Sequence, residues 1–474
     1  METSTENKIE IATERHHTSL PRRLGVVSAI AILIGSTIGT GIFRSPAGIA
    51  AKVPFEELYL LLWSLGGFFS LCGALTLAEL AGALPHTGGV FVYLREGFGR
   101  LPAFLFGWSE LVIIRASALG AISTVFAEYF LRLLGRDDPQ AVHYVAAAAI
   151  LIVAIFNIVG VKLGALVQNA TTATKYGALV LLVLAAFLLG GTNAAPVPAS
   201  PVQAATSPSF VMFGLAFISL LWVYDGWADV TFISGEVKRP ERNLPLTLIA
   251  GTLAVIAIYV LANLAYLHLL DINQVANSKL VAADTAYRIV GDVGVKLVSV
   301  AVMVSAFGTL NGSMMTGPRI FFAMADDGLF FKKIASVHPR FKTPYIAISL
   351  AASLAILFVM IRTFEQLSDT FVLAIWPFYA LGVAAVYALR RKRPDLPRPY
   401  KTLGYPVTPA LFIIAVLILI GNALFGDIRY YGARLSGGPN PYEWSGALLV
   451  LIIVLAGVPA FYIWKATHSR ASER

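Results

Sequence analysis

The feature that most constrains this chain is a succession of nearly unbroken apolar runs, each about as long as a bilayer is thick. A helix rises 1.5 Å per residue, so roughly 20 apolar residues cross a hydrocarbon core of about 30 Å. Runs of that kind fall near 24–50, 57–84, 101–134, 143–160, 163–190, 209–236, 243–270, 293–317, 343–362, 366–389, 406–425 and 443–464. By length they read as about twelve spans. They are continuous rather than alternating, which excludes a β-barrel. Only 13% of residues are charged, about half the ~25% usual in soluble domains. The chain is therefore read as an all-α integral membrane protein. Its first 21 residues are polar and lack the apolar core of a signal peptide, so the first run is expected to stay in the mature protein.

Two of these runs are damaged at their centres. The first carries Ile34-Gly35-Ser36-Thr37-Ile38-Gly39-Thr40-Gly41-Ile42-Phe43, and glycine weakens a helix by about 1 kcal/mol per residue relative to alanine. The sixth carries Trp222-Val223-Tyr224-Asp225-Gly226-Trp227-Ala228-Asp229. Gly35 and Gly39 alone fit an ordinary small-xxx-small packing face. Interruptions in two halves of a chain instead point to a transporter's binding site, because irregular backbone at membrane depth must be buried or line a watery cavity.

The net charge of +9 is explained by topology. Lys8, Arg15, Arg22, Arg23, Arg95, Arg100, Lys162, Lys238, Arg239, Arg242 and the run Arg390-Arg391-Lys392-Arg393 fall on one side of a twelve-span arrangement. The other side holds chiefly Lys52, Arg136, Lys279, Arg362, Arg429 and Arg434. The positive-inside bias then places both termini in the cytoplasm, and no nucleic-acid partner is implied. Membrane lipid is the expected surrounding, with the basic loops within reach of anionic headgroups. The single cysteine, Cys72, lies inside the second run. It allows no internal disulfide, and neither zinc nor iron–sulfur chemistry nor any other metal or cofactor is expected. No Walker, Rossmann or nucleophile-elbow spacing is present, so the chain is not read as an enzyme.

GSTIGTGIF at 35–43 and AELAGALPHTGGVFVYLREGFG at 78–99 resemble the amino acid–polyamine–organocation transporter superfamily. WSELVIIRASALG at 108–120 is similar to its L-type amino acid transporter branch, and VYDGW at 223–227 resembles bacterial members. TLNGSMMTGPRIFFAMADDGLF at 309–330 and RRKRPDLPRPYKTLGYPVTP at 390–409 look like the same group's signatures around the eighth and after the tenth span. The resemblance implies a LeuT-type 5+5 inverted repeat with helices 1 and 6 unwound at mid-membrane. Its parts would be a cytoplasmic tail (1–23), a first five-helix repeat (24–190), an extracellular loop (191–208), a second repeat (209–392), and helices 11 and 12 with the cytoplasmic C-terminus (393–474). Residues 91–99 suit an amphipathic helix lying at the cytoplasmic interface.

An unwound helix offers free N–H groups at one half-helix start and free carbonyls at another's end, matching the carboxylate and ammonium of an amino acid. Carried over from the family, the N–H groups around Thr40 and Gly41 would take the carboxylate, with Ser36 adding a hydroxyl. Carbonyls near Thr37, Trp222 and Asp225 would take the ammonium. Trp222 aligns with an aromatic gate, although a plain core tryptophan is the alternative. Asp225 is a functional candidate because a carboxylate at membrane depth is costly. It could strengthen ammonium binding or simply cap the break. Asp229 reads as a structural pair partner.

Lys175 sits about 18 Å into its span, near mid-membrane. VQNATTATKYGAL at 167–179 resembles the family segment whose lysine stands where sodium-driven relatives bind a cation. Its ammonium would then bridge the first span, near the Gly35 carbonyl, to the eighth, where Ser305 and Thr309 supply hydroxyls. That implies no sodium coupling, with a fixed tether and a proton carrier both open. Arg115 is a second mid-span charge; no helical spacing links it to Glu110 or Glu128, so a partner on another helix is expected. The resulting expectation is a cell-membrane transporter that exchanges neutral, small L-amino acids by alternating access. Without the cysteine that animal light chains carry between spans 3 and 4, no disulfide-linked heavy chain is expected. Proton-coupled symport is the alternative, and a non-transporting amino acid sensor the alternative from another class.

Overall fold

The computed structural model describes residues 22, 24–86, 88–159, 162–190, 210–326, 328–330, 333–334, 336, 338–341, 343–436 and 444–472. At 162–170, 172–173, 318–319, 322–323, 325–326 and 467–472 only the backbone is described. The first 21 residues and the loop at 191–208 lie outside the described residues. Every element of the described chain is helical, apart from one isolated bridge between Leu24 and Val237.

The first span consists of α1 (Val26–Thr37) and α2 (Gly41–Lys52), bent by 41° about Ile38-Gly39-Thr40. Span 2 is α3 (Glu56–Ala83), which starts behind Pro54 with Glu56 and Glu57 in its first turn, where acidic groups complement the helix dipole. A short α4 (Val90–Phe98) leads into span 3, α5 (Arg100–Leu133), which carries a π-helical turn at Glu110–Ile114. Spans 4 and 5 are α6 (Pro139–Val159) and α7 (Lys162–Leu189).

Span 6 is again broken, into α8 (Phe210–Tyr224) and the single turn α9 (Asp229–Phe232). Span 7 is α10 (Pro240–Leu269), with proline in its first turn, where the missing N–H costs nothing. Two helices, α11 (Ile272–Asn277) and α12 (Val281–Val290), precede span 8, α13 (Asp292–Asp326). Spans 9 to 12 are α14 (Tyr345–Ile361), α15 (Phe364–Lys392), α16 (Val407–Ser436) and α17 (Ala447–Ser472). The protein is thus an all-helical, multi-pass membrane protein with about twelve spans, and the breaks fall in the first and the sixth.

Burial orders the bundle. In α5, 83% of the apolar window is buried inside the protein, against 28% in α16 and in α17. Span 3 is therefore central, and the last two spans face lipid. Glycines on α3 let its neighbours approach, as small residues do between membrane helices. A Cβ at Gly66 would lie 2.6 Å from Leu220, at Gly67 2.9 Å from Ile256, and at Gly73 2.6 Å from Trp227. These notches seat span 6 and span 7 against span 2 and hold Trp227 beside Tyr379 and Phe412.

One expectation needs correcting. The helix at 91–99 does not lie on the lipid interface: Val90, Phe91, Val92, Tyr93, Leu94 and Gly97 are buried. A Cβ at Gly97 would come 2.9 Å from that of Ala385. The apolar face that suggested lipid is covered by α15, a long-range contact that local amphipathicity does not reveal. The turn before it is pressed onto α9, since a Cβ at Gly89 (φ +49°) would fall 2.9 Å from the Thr231 carbonyl carbon. Gly88 N–H also donates to the Phe232 carbonyl at 3.1 Å, and Leu24 exchanges hydrogen bonds with Glu236 and Lys238. The start of span 1 and the end of span 6 are stitched together on this side.

Candidate functional site

The two breaks meet in space. A Cβ on Gly226 (φ +109°) would lie 2.8 Å from both the Ser36 carbonyl carbon and the Thr37 nitrogen. Backbone presses on backbone there, and only glycine fits. Higher up, a Cβ on Gly41 would lie 3.0 Å from Val223 Cα. The start of α2 is therefore packed against the end of α8.

Among the described residues, buried polar atoms around this crossing lack a hydrogen-bond partner, Thr40 Oγ1, Asp225 Oδ1, Ser305 Oγ and Trp227 Nε1 among them. Buried groups of this kind are normally satisfied, so each calls for a reason. Thr40 stands at the N-cap position of α2 without a side-chain cap, where the first N–H groups have no intrahelical acceptor. Asp225 follows the last residue of α8, where the final carbonyls have no intrahelical donor. The crossing thus offers a donor side on span 1 and an acceptor side on span 6, both at mid-span.

The remaining expected contacts are distributed differently. Both lone pairs of the Thr37 carbonyl are engaged, by the Tyr259 hydroxyl at 2.7 Å and the Gly39 N–H at 2.8 Å. Tyr259 also reaches the Val223 carbonyl at 3.1 Å, so one phenol on span 7 ties together the ends of α1 and α8. The Trp222 carbonyl accepts from the Asp225 N–H at 3.3 Å, so in this conformation an ammonium is left with the Asp225 carboxyl. The Ser36 hydroxyl lies beside the Asp229 carboxyl, on the side of α1 and α9. Nothing in the spacing of either residue signalled the Tyr259 clamp, which spans 222 positions.

Trp222 stands edge-on to two rings of α15, 5.0 Å from Phe371 and 6.3 Å from Phe364. Above Phe364 the Arg44 guanidinium lies 5.2 Å from the ring and is paired with Glu128 and Glu365, both at 2.8 Å. This stack connects α2, α5 and α15 and closes one side of the crossing.

The Lys175 ammonium donates to the Gly35 carbonyl, linking span 5 to the last turn of α1. The lysine is 1% exposed and, among the described residues, makes no ion pair. Span 8 lies alongside but does not complete the expected set. Thr309 donates to the Ser305 carbonyl at 3.0 Å, and neither hydroxyl bonds to Lys175. Hydroxyls one turn apart on a helix back-bond to their own carbonyls when nothing outcompetes these acceptors. Thr309 instead packs on the break, 3.6 Å from where a Gly39 Cβ would be.

Arg115 finds its carboxylate on its own span. Its guanidinium meets Glu110 Oε2 at 3.0 Å and donates to Ser313 on span 8 at 2.8 Å. A spacing of five residues misses on an α-helix, but the π turn at Glu110–Ile114 brings residues i and i+5 onto one face. Asp229 contributes to the field around Arg115, and the Tyr379 hydroxyl lies beside Asp225. Below the crossing, then, lie three carboxyls and one guanidinium.

Comparison with known proteins agrees with this architecture. Residues 24–460 match the amino acid permease family. The serine/threonine exchanger SteT of Bacillus subtilis is 33% identical over 451 residues, covering 94% of this chain and 97% of that one. The human b(0,+)-type amino acid transporter 1 is 32% identical over 408 residues, 85% of this chain and 82% of the relative. The human cystine/glutamate transporter is 30% identical over 451 residues, 94% and 85% respectively.

Proposed function

We propose that this chain, which belongs to the amino acid permease family, is a sodium-independent exchanger of small neutral L-amino acids working by alternating access. The observation that carries the reading is the pair of unsatisfied groups at the crossing: Thr40 Oγ1 with the α2 N-terminus, opposite Asp225 Oδ1 at the end of α8. Donors there suit a carboxylate and acceptors an ammonium, and the half-helix dipoles reinforce both. The match to a serine/threonine exchanger over 94% of the chain supports exchange of small substrates. Relatives named for quite different substrates share the same frame, so the pocket walls rather than the fold set the side-chain preference.

Lys175 supports sodium independence, since its ammonium donates to the Gly35 carbonyl at the place where the family resemblance puts a cation in sodium-driven relatives. We place the termini in the cytoplasm by the distribution of Lys and Arg. The Arg44–Glu128–Glu365 stack then closes the outer side. The one cysteine, Cys72, is buried in α3, which supports operation without a disulfide-linked partner.

The test is uptake of labelled L-alanine into proteoliposomes, empty or preloaded with unlabelled amino acid, at equal and at stepped pH. Uptake that requires preloading is expected. Uptake into empty vesicles driven by an inward proton gradient would replace exchange with symport. No uptake of any amino acid in a panel would favour a sensor.

Gly41→Val tests the site itself. Its side chain would collide with Val223, whose Cγ atoms stand 3.2 Å from the Cβ position, and would cover the N–H groups of α2. Loss of about tenfold or more in alanine affinity is expected, a change of roughly 1.4 kcal/mol. Unchanged affinity, read by binding to the detergent-solubilised protein, would move the site away from the first break.

A further inference from the structure

On the outer side of the Arg44 stack lies a cavity of about 320 Å³, separate from the crossing of the broken spans. That volume is at the lower end of small-molecule pockets, which run from about 300 to 1,000 Å³. Its lining carries five Arg or Lys side chains against four carboxylates. Most of these charges are engaged. Arg44 holds one oxygen each of Glu128 and Glu365, Lys279 pairs with Asp137, and Asp138 caps α6 through the N–H groups of Gln140 and Ala141.

Arg362 is different. It sits in the two-residue link between α14 and α15, half-buried, and among the described residues it faces no carboxylate. Its guanidinium donates to the Thr370 hydroxyl at 3.2 Å and lies over the rings of Trp444 and Phe358, at 5.4 and 5.9 Å. Burial without an anion pulls it down from its ordinary pKa. A desolvated guanidinium held by aromatic faces at the wall of a cavity suits a planar carboxylate, which it binds through two parallel hydrogen bonds. Glu128 and Glu365 line the same cavity, and their carboxylates can accept from an ammonium.

We propose that this outer cavity is a second amino acid site, in which Arg362 takes the carboxylate of a free zwitterionic amino acid and the Glu128–Glu365 pair takes its ammonium. The site rests on the transport reading above only for its sidedness. There it holds substrate on the outer side of the Arg44 stack, before entry to or after release from the crossing.

The experiment is protection of an introduced cysteine in whole cells. Val142→Cys places a thiol on the cavity wall, and the native Cys72 is buried. Labelling by a membrane-impermeant maleimide is measured with and without external L-alanine. Acetate and methylamine, each carrying one of the two groups, serve as controls. Alanine is expected to slow labelling about threefold or more by occupancy of the site, acetate and methylamine much less. Arg362→Gln should remove the protection and Arg362→Lys should keep part of it, while Gly41→Val, which closes the central site, should leave it intact. Protection by acetate equal to that by alanine would reduce the site to a plain anion site and overturn the proposal. So would protection that persists in Arg362→Gln or vanishes in Gly41→Val, since either would trace it to the central site. Absence of protection in a protein that exchanges alanine overturns the second site alone. Protection in a protein that transports nothing would leave the second site standing and remove the transport reading.

Discussion

Lys175→Ala is expected to abolish amino acid exchange in proteoliposomes while the protein still inserts and folds. The ammonium is the only charge at its depth in span 5, and it donates to the carbonyl of Gly35 in the last turn of α1. A hydrogen bond from a charged group contributes about 1.5–3 kcal/mol. Losing it shifts any conformational balance that depends on it by about 10- to 150-fold. Alternating access depends on where α1 sits relative to its neighbours, so the whole of that shift falls on transport. The fold bears less of it, because α7 is also held to span 8 through Thr171 packed against Gly308. Removing a buried charge that has no ion-pair partner also relieves a desolvation cost.

Lys175→Met separates the two effects: it keeps the stem and drops the charge. Its expected result is lost exchange with a melting temperature no lower than wild type. Exchange at wild-type rate in both variants would remove Lys175 from the mechanism.

Gly226→Ala is expected to be as severe by another route. Its φ of +109° is one that L-residues rarely adopt, and the added Cβ would stand 2.8 Å from backbone atoms of Ser36 and Thr37. Carbon contacts are comfortable at about 3.5–4.0 Å, so the two breaks would have to separate by several tenths of an ångström. Holding alanine in such a conformation alone costs about 1–3 kcal/mol. The displaced strip carries Thr37, whose carbonyl is shared with Tyr259, and Asp225 immediately precedes the glycine. Alanine binding and exchange should both fall at least ~10-fold, the equivalent of about 1.4 kcal/mol. Thermal stability should drop as well. A variant with normal transport would show that the breaks need not touch.

The amino acid order alone determined a good deal. Apolar run length set the class and the number of spans, because a bilayer admits few ways to bury a backbone. Glycine clusters marked both breaks, because a helix that loses propensity at its centre must be compensated by something nearby. The depth of Lys175 followed from counting residues along one helix. Each of these is local information, read at a period of 3.6 or from the length of a run.

Whatever depended on partners distant in sequence was decided only by tertiary structure. The Glu110–Arg115 pair was hidden because a π turn changes the register on which helical spacing is judged. Packing by α15 turned an apparent interfacial helix into a buried one. Tyr259 took the Thr37 carbonyl, and Thr309 turned back to its own helix. Arg362 became distinctive only once its neighbours were seen to leave it without a carboxylate. Hydrogen-bonding groups compete for partners in three dimensions, and a linear pattern can say which groups are present but not which of them win.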